Sequence, residues 1–215
     1  MNNFDPISLT LALALLALVP TLAVVCTSFL KISVVLSLVR NALGVQQIPP
    51  NLAIYGLALI VSAYVMAPIG QDIYRQVSSV PRATQSPEQL FHAVQSGAEP
   101  LRRFMVKHSE PRQREFFVKT AEDLWGPEMA RGLHETDFLV LVPAFMVTEL
   151  TDAFQIGFLI FLPFVVIDLV VSNVLLAMGM MMVSPVMISM PLKLLLFVMA
   201  DGWTRLIQGL VLTYR

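Results

Sequence analysis

The segment from Met178 to Met190 reads MGMMMVSPVMISM and holds six of the twelve methionines of the chain. It carries no charge. Gly179 and Pro185 predict that a helix does not run through it, because glycine weakens a helix and proline breaks one. Methionine is unbranched and its sulfur is polarisable, so a methionine cluster can fill an irregular space and repack around a changing occupant. The pattern fits either a buried turn packed with flexible side chains or a deformable constriction in a channel.

The composition around this segment is that of a very apolar protein. The chain has 215 residues, of which 56% are hydrophobic and 13% are charged, whereas soluble domains have about 25% charged residues. This predicts an integral membrane protein or a subunit of an apolar assembly. The net charge of −1 gives no electrostatic support for nucleic-acid binding. The only cysteine, Cys26, excludes an intrachain disulfide and a cysteine-based metal site.

Charges divide the chain into three segments. Nine of the 14 basic residues and ten of the 15 acidic residues lie between Gln71 and Asp137. The fold predicted from this layout is all-α, with kinked hydrophobic helices, helical hairpins and about four apparent transmembrane segments. A small helical polar domain is inserted after the second of them. The predicted segments are an apolar hairpin (1–70), the polar domain on the outer side of the membrane (71–137), and an apolar region (138–215) with its methionine loop at 178–190.

The first apolar run extends from Pro6 to Leu30 without a charged residue, and about 20 apolar residues are enough to cross a bilayer core. It is predicted to be a retained helix bent near Pro20. A signal peptide is the competing interpretation, but only Asp5 precedes the run as a charge, and no small-residue cleavage site ends it.

The connection RNALGVQQIPPN, residues 40–51, predicts a short turn between two antiparallel helices, because its glycine and prolines end helical structure. The second helix is predicted at about 52–69, ending near Pro68. Lys31 precedes this connection and Arg40 begins it. Because basic residues favour the cytoplasmic side of a membrane, the loop that carries them is predicted to be cytoplasmic and the polar segment to lie outside.

Two helix starts are predicted in the polar segment. Ser86 is a good N-cap before Pro87, and Ser109 and Glu110 precede a second proline. Gly126 is expected to end the second helix. The three histidines lie in separate contexts without a metal-ligand spacing.

Few ionisable residues interrupt the apolar region that begins at Phe138. Charged groups at membrane depth cost a few kcal/mol each and usually pair or face a wet interior. Four prolines cut the apolar runs: Pro143, Pro163, Pro185 and Pro191. Six residues are candidates for polar contacts: Glu149, Asp152, Asp168, Lys193, Asp201 and Arg205.

The spacing of these charged residues predicts shared helix faces. Glu149, Asp152 and Gln155 recur at intervals of three and are expected on one face. The basic candidates and Asp201 are eight and four residues apart, again roughly one face, and would complement the acids within the chain or in another copy. Structural ion pairing at helix interfaces is the favoured interpretation, and a proton relay is the alternative.

No catalytic, cofactor-binding or metal-ligand motif is found. The sequence has no GxSxG, no HExxH, no GxxxxGK[ST] and no GxGxxG after a strand. The chain is therefore predicted not to be an enzyme and to need no cofactor. The alternative function is a proton-coupled secondary transporter that uses intramembrane acidic residues.

Four blocks together resemble the FliP/SctR family, which comprises membrane proteins of the export apparatus of bacterial type III secretion systems. The blocks are SFLKISVVLSLVRNALGVQQIPPN (28–51), PAFMVTELTDAFQIGF (143–158), GMMMVSP (179–185) and PLKLLLFVMADGW (191–203). Flagellar members usually begin with a cleavable signal sequence, which is not evident here. The resemblance is therefore closer to the injectisome branch, SctR, a branch associated with virulence.

The resemblance implies a channel for unfolded proteins across the bacterial inner membrane, built from about five copies of this chain with SctS/FliQ-like and SctT/FliR-like subunits. It implies contacts with an SctU/FlhB-like switch protein, an SctV/FlhA-like export gate and the inner rod and needle. The complex lies within the basal body, partly on the periplasmic side. Its multi-pass helices then pack partly on other subunits and partly on membrane lipid. A purely structural nucleus for ring assembly is a further alternative.

The same resemblance implies a role for the methionine loop. The loop would act as a pore gasket, an apolar collar that closes against ions and yields to an unfolded chain. The candidate gasket residues are Met180, Met181 and Met182, and further contributors would be Met178 and Met187. The six charged candidates become candidates for inter-subunit polar contacts.

Overall fold

The computed structural model describes residues 6–45, 48–80 and 87–215, and within these ranges it contains eight helices and no strand. The helices are α1 (Pro6–Val25), α2 (Phe29–Ala42), α3 (Asn51–Ser78), α4 (Pro87–His108), α5 (Pro111–Trp125), α6 (Phe138–Ala177), α7 (Pro185–Met199) and α8 (Gly202–Leu212). The predicted all-α fold is confirmed. Helices α3 and α6 are each long and apolar enough to cross a membrane, and the broken pairs α1–α2 and α7–α8 raise the number to as many as four.

The helices form two compact units. Unit 1 contains the described residues of Met1–Leu30 and Ala63–Glu149, and unit 2 contains those of Lys31–Ser62 and Leu150–Arg215. The units follow tertiary packing, whereas the three predicted segments follow polarity along the chain. The three-segment division therefore stays a prediction.

Unit 1 holds the polar part of the chain. Helix α4 packs its buried face on the start of α6, where the rings of Phe104 and Phe145 lie 5.8 Å apart between centroids. Helix α5 begins after Glu110, whose backbone N–H donates to Thr148 Oγ1 at 3.0 Å. It ends at Gly126, which has a φ of +81°, a backbone conformation that glycine adopts without strain.

Both predicted helices of the polar segment are present, and the predicted cap Ser86 lies outside the described residues. The turn between α4 and α5 is held by the guanidinium of Arg114. Its Nη1 donates to the carbonyl oxygens of Ser109 and Val106 at 2.6 and 3.2 Å, and to Ser109 Oγ at 2.8 Å. On the exposed face of α5, Lys119 donates to the Glu115 carboxylate, and this hydrogen bond lowers the pKa of Glu115.

Unit 2 begins with a helical hairpin. Arg40, in the last turn of α2, donates to Asn51 Oδ1 at 2.6 Å and to the Pro49 carbonyl at 3.3 Å. Further along both helices, Leu36 and Ile54 line one apolar cavity. These contacts are those expected of two antiparallel helices joined by a short turn.

Helices continue through most prolines of the apolar segments, namely Pro20, Pro68, Pro143, Pro163 and Pro191. The predicted end of the second helix near Pro68 is wrong, because α3 continues to Ser78. The first apolar run is broken at residues 26–28, between α1 and α2. A proline removes one backbone hydrogen bond and crowds one carbonyl, and long apolar helices tolerate this when neighbouring groups satisfy the freed carbonyl.

The prediction of a cytoplasmic loop assumed that Lys31 and Arg40 lie in a loop, and this assumption is wrong. Both residues belong to helix α2, and the side chain of Lys31 is only 3% exposed. A buried, paired lysine carries no information about membrane sidedness, because the positive-inside tendency concerns exposed loop charges.

Candidate functional site

The methionine segment forms the turn between α6 and α7. Helix α6 ends in a Schellman motif, in which Gly179 N–H donates to the Leu176 carbonyl at 3.0 Å and Met180 N–H donates to the Leu175 carbonyl at 2.9 Å. Gly179 has a φ of +74°, which a residue with a Cβ adopts only with strain. Pro185 starts α7 at the first helical position. The prediction that no helix runs through this segment is confirmed.

The side chains of this turn are not packed inside one chain. Met182 is fully exposed and Met181 is 80% exposed. Met178 and Met187 are also exposed, and Met180 is the least exposed of the five candidates. In a single chain the turn is therefore not the tightly packed interior that a buried turn requires, and it presents thioethers outward.

Below the turn, α6 and α7 are joined by a polar cluster in an apolar surrounding. Lys193 Nζ lies 2.6 Å from Asp168 Oδ2, and Ser189 Oγ donates to Asp168 Oδ1 at 2.5 Å. The side chain of Lys193 is 4% exposed and that of Asp168 is 34% exposed. Lys193 and Asp168 thus pair within one chain, which is one of the two arrangements that the sequence leaves open.

A second buried lysine holds another acid of α6. Lys31 Nζ lies 2.9 Å from Asp152 Oδ2 and 4.7 Å from the centroid of the Tyr214 ring. Sequence reasoning missed Lys31 as a partner of Asp152. Lys31 is the third residue of α2 and lies between two apolar runs, and a lone lysine with apolar residues on both sides is the signal that points to burial and pairing.

The predicted shared faces are found only in part. Glu149, Asp152 and Gln155 all lie on α6, but they pass from fully buried to half-buried to exposed along the helix. Asp201 has a φ of +51° and stands at a bend of 62° between α7 and α8. Lys193 and Arg205 therefore lie on different helices, and their predicted common face is wrong because the left-handed Asp201 ends the helical repeat.

Asp201 and Arg205 differ from the other charged candidates in exposure. Both are exposed, and among the described residues neither forms an ion pair within the chain. The described ranges also contain no group of three His, Cys, Asp or Glu residues that is placed to hold a metal ion. The site as a whole has two ion pairs, each formed by a buried lysine and a partly exposed aspartate, and an exposed apolar turn.

Comparison with known proteins gives matches along nearly the whole chain. The FliP family is matched over residues 12–210. The chain is 55% identical to the Yop proteins translocation protein R of Yersinia pestis over 98% of this chain and 97% of that protein. It is 47% identical to the harpin secretion protein HrcR of Erwinia amylovora, over 99% and 98% of the two chains. It is 43% identical to the virulence protein YscR of Salmonella typhimurium, over 98% and 97%.

Proposed function

The chain belongs to the FliP family, on the branch of the YscR and HrcR proteins, and we propose that it is a membrane subunit of a type III secretion export channel. The observation that supports this most strongly is the extent of similarity. Relatives named for translocation and secretion match almost from end to end, so the shared function is not that of one grafted domain. The role is structural rather than enzymatic.

In this proposal the chain acts as about five copies, together with SctS/FliQ-like and SctT/FliR-like subunits, in the bacterial inner membrane and partly on its periplasmic side. The large exposed apolar area of α6 supports a heteromeric assembly. An apolar stretch of 18 residues in α6 is only 17% buried within the chain. Lipid or other subunits must therefore cover most of this stretch. The SctU/FlhB-like switch, the SctV/FlhA-like gate, and the rod and needle are the further proposed partners.

The methionine turn is proposed as the gasket of this channel. Copies arranged around one axis would bring their exposed thioethers together, and a collar of such side chains yields to an unfolded chain of any sequence. Two of the acids that a proton-coupled transporter would use, Asp152 and Asp168, each bind a buried lysine, which supports structural ion pairing at these two residues.

Native mass spectrometry in mild detergent tests the assembly. This chain is expressed alone and together with SctS-like and SctT-like proteins from the same source. A discrete heteromer with about five copies of this chain is expected. A monomer or dimer that never takes up those partners would contradict the proposal, and the acids of α6 would then be tested as a transport site.

A leak assay tests the gasket separately. Replacing the methionines at 180–182 with alanine removes most of the thioether bulk, and we expect an assembled complex that lets small ions through. Replacing the same three residues with leucine keeps apolar bulk and is the matched control, expected to stay closed. A membrane that stays equally tight with the alanine variant would exclude the gasket role and leave the assembly proposal intact.

A further inference from the structure

Helices α2 and α6 meet at two points within unit 2. At the first, Lys31 Nζ contacts Asp152 Oδ2 at 2.9 Å. At the second, Leu38 lies against the bare backbone of Gly157, where an added Cβ would stand 3.1 Å from Leu38 Cβ. Both pairs advance in the same direction along the chain, so the two helices run parallel where they touch. Their register is defined by which residues meet at these points.

The contact between Lys31 and Asp152 has the stricter chemical requirement of the two, because it buries a charged group. The ammonium of Lys31 is almost fully buried, and it faces the Asp152 carboxylate and the ring of Tyr214, which is itself buried. A buried ammonium that loses its carboxylate is strongly unfavourable, and an aromatic face adds to its stabilisation. A slip of one helical turn, about 5.4 Å, would take the Lys31 ammonium away from both groups.

The second point adds a steric requirement. Only a residue without a side chain allows Leu38 to approach α6 this closely, and α6 offers a single glycine, Gly157, along its described length. The other buried residues of α2 are mostly aliphatic, and aliphatic contacts are similar before and after a slip. One buried polar residue is a known way to specify register between apolar helices.

We propose that Lys31 is a register anchor: a positioning residue whose ion pair with Asp152, covered by Tyr214, selects one alignment of α2 on α6. The Leu38–Gly157 contact then fits only in that alignment. This inference concerns the fold of one chain, so it does not depend on the secretion role.

Cysteine cross-linking in the full chain, in isolated membranes, tests the anchor. The background is Cys26→Ala, which removes the only natural thiol. The native register is reported by Leu38→Cys with Gly157→Cys. The two Cβ atoms would start 3.1 Å apart, so a small outward shift brings them into the range of about 3.5–4.5 Å that disulfides need. This pair also replaces the Leu38–Gly157 contact, so Lys31 is the anchor that remains to set the register. A slipped register is reported by Leu38→Cys with Ala153→Cys, one helical turn away.

With Lys31 present, the first cysteine pair is expected to cross-link and the second is not. Lys31→Met is expected to lower the native cross-link about tenfold. The effect is smaller than for a fully buried pair, because the side chain of Asp152 is 43% exposed. Lys31→Arg keeps the charge, and a guanidinium binds both a carboxylate and an aromatic face, so it is expected to restore the cross-link. Simple loss of side-chain packing would not be rescued in this way.

A second variant covers the case in which Lys31→Met fails to accumulate in the membrane. The double variant Lys31→Met with Asp152→Leu removes both members of the pair, and we expect it to accumulate with the native cross-link still lowered. A native cross-link at the wild-type level in the double variant would overturn the proposal, whatever the secretion activity of the protein.

Discussion

The Asp168–Lys193 ion pair gives a quantitative prediction for the Lys193→Ala variant. The Lys193 ammonium lies 2.6 Å from the carboxylate, and its side chain is only 4% exposed. Removing one partner of a buried pair costs about 3–5 kcal/mol. The side chain of Asp168 is 34% exposed, and its carboxylate still accepts a hydrogen bond from Ser189. Because water and this hydrogen bond stabilise the remaining charge, we expect a loss at the lower end of that range, about 3 kcal/mol.

Thermal unfolding of the purified chain in mild detergent measures this loss. For a chain of this length, 1 kcal/mol corresponds to about 2–4 °C, so a decrease of about 6–12 °C in Tm is expected. The yield of assembled complex should decrease with it. Lys193→Met, which keeps the apolar stem, is expected to lose as much, because the effect comes from the missing charge.

Two further variants separate this effect from a general loss of packing. Lys193→Met combined with Asp168→Asn leaves no unpaired charge and is expected to recover most of the lost Tm. Arg205→Ala removes an exposed cation without an ion pair in the described part of the chain, so its Tm should stay near the wild-type value. An unchanged Tm and a wild-type yield of complex in Lys193→Ala would refute the reasoning.

Two more predictions concern contacts elsewhere in the two units. Gly157→Val would force a side chain into the space of Leu38, so we expect overpacking to lower the unfolding free energy by about 1–3 kcal/mol. Adding Leu38→Ala should relieve part of this loss. Equal Tm values for wild type and Gly157→Val would contradict this. Arg114→Ala removes three hydrogen bonds at the turn around Ser109, so amide hydrogen exchange at this turn should become faster. The control is Arg103→Ala, which removes an exposed arginine. Unchanged exchange in Arg114→Ala would show that the turn is held by other contacts.

Local signals predicted a good part of this fold. The start of α5 at a proline, its end at Gly126 and the turn at Gly179 all depend on backbone conformations that a few neighbouring residues determine. The end of α3 near Pro68 was predicted wrongly for the opposite reason, since the helix continues to Ser78. The cost of a proline in a helix is about 3 kcal/mol, and whether the surrounding contacts offset it is decided by residues far along the chain.

The ion pairs could be predicted from the sequence only in part. The charged residues of α6 and α7 were identified as candidates because charge is rare in apolar helices. Which charge meets which is a matter of tertiary packing, and Lys31 and Asp152 are far apart in the sequence. Spacing also assumed that the helix continues from Lys193 to Arg205, whereas Asp201 adopts a left-handed conformation. The dipeptide Asp201–Gly202 is a local turn signal that the spacing argument did not use.

The 40 residues of α6 correspond to an axial rise of about 60 Å, twice the thickness of a hydrocarbon core of about 30 Å. A helix of this length cannot keep all its apolar surface in lipid, and contact with water is unfavourable for the apolar surface that remains outside. The newly made subunit is therefore a short-lived species that depends on the supply of its partners. We expect cells that make it in excess to degrade the surplus, so that the number of completed complexes sets the amount of this protein.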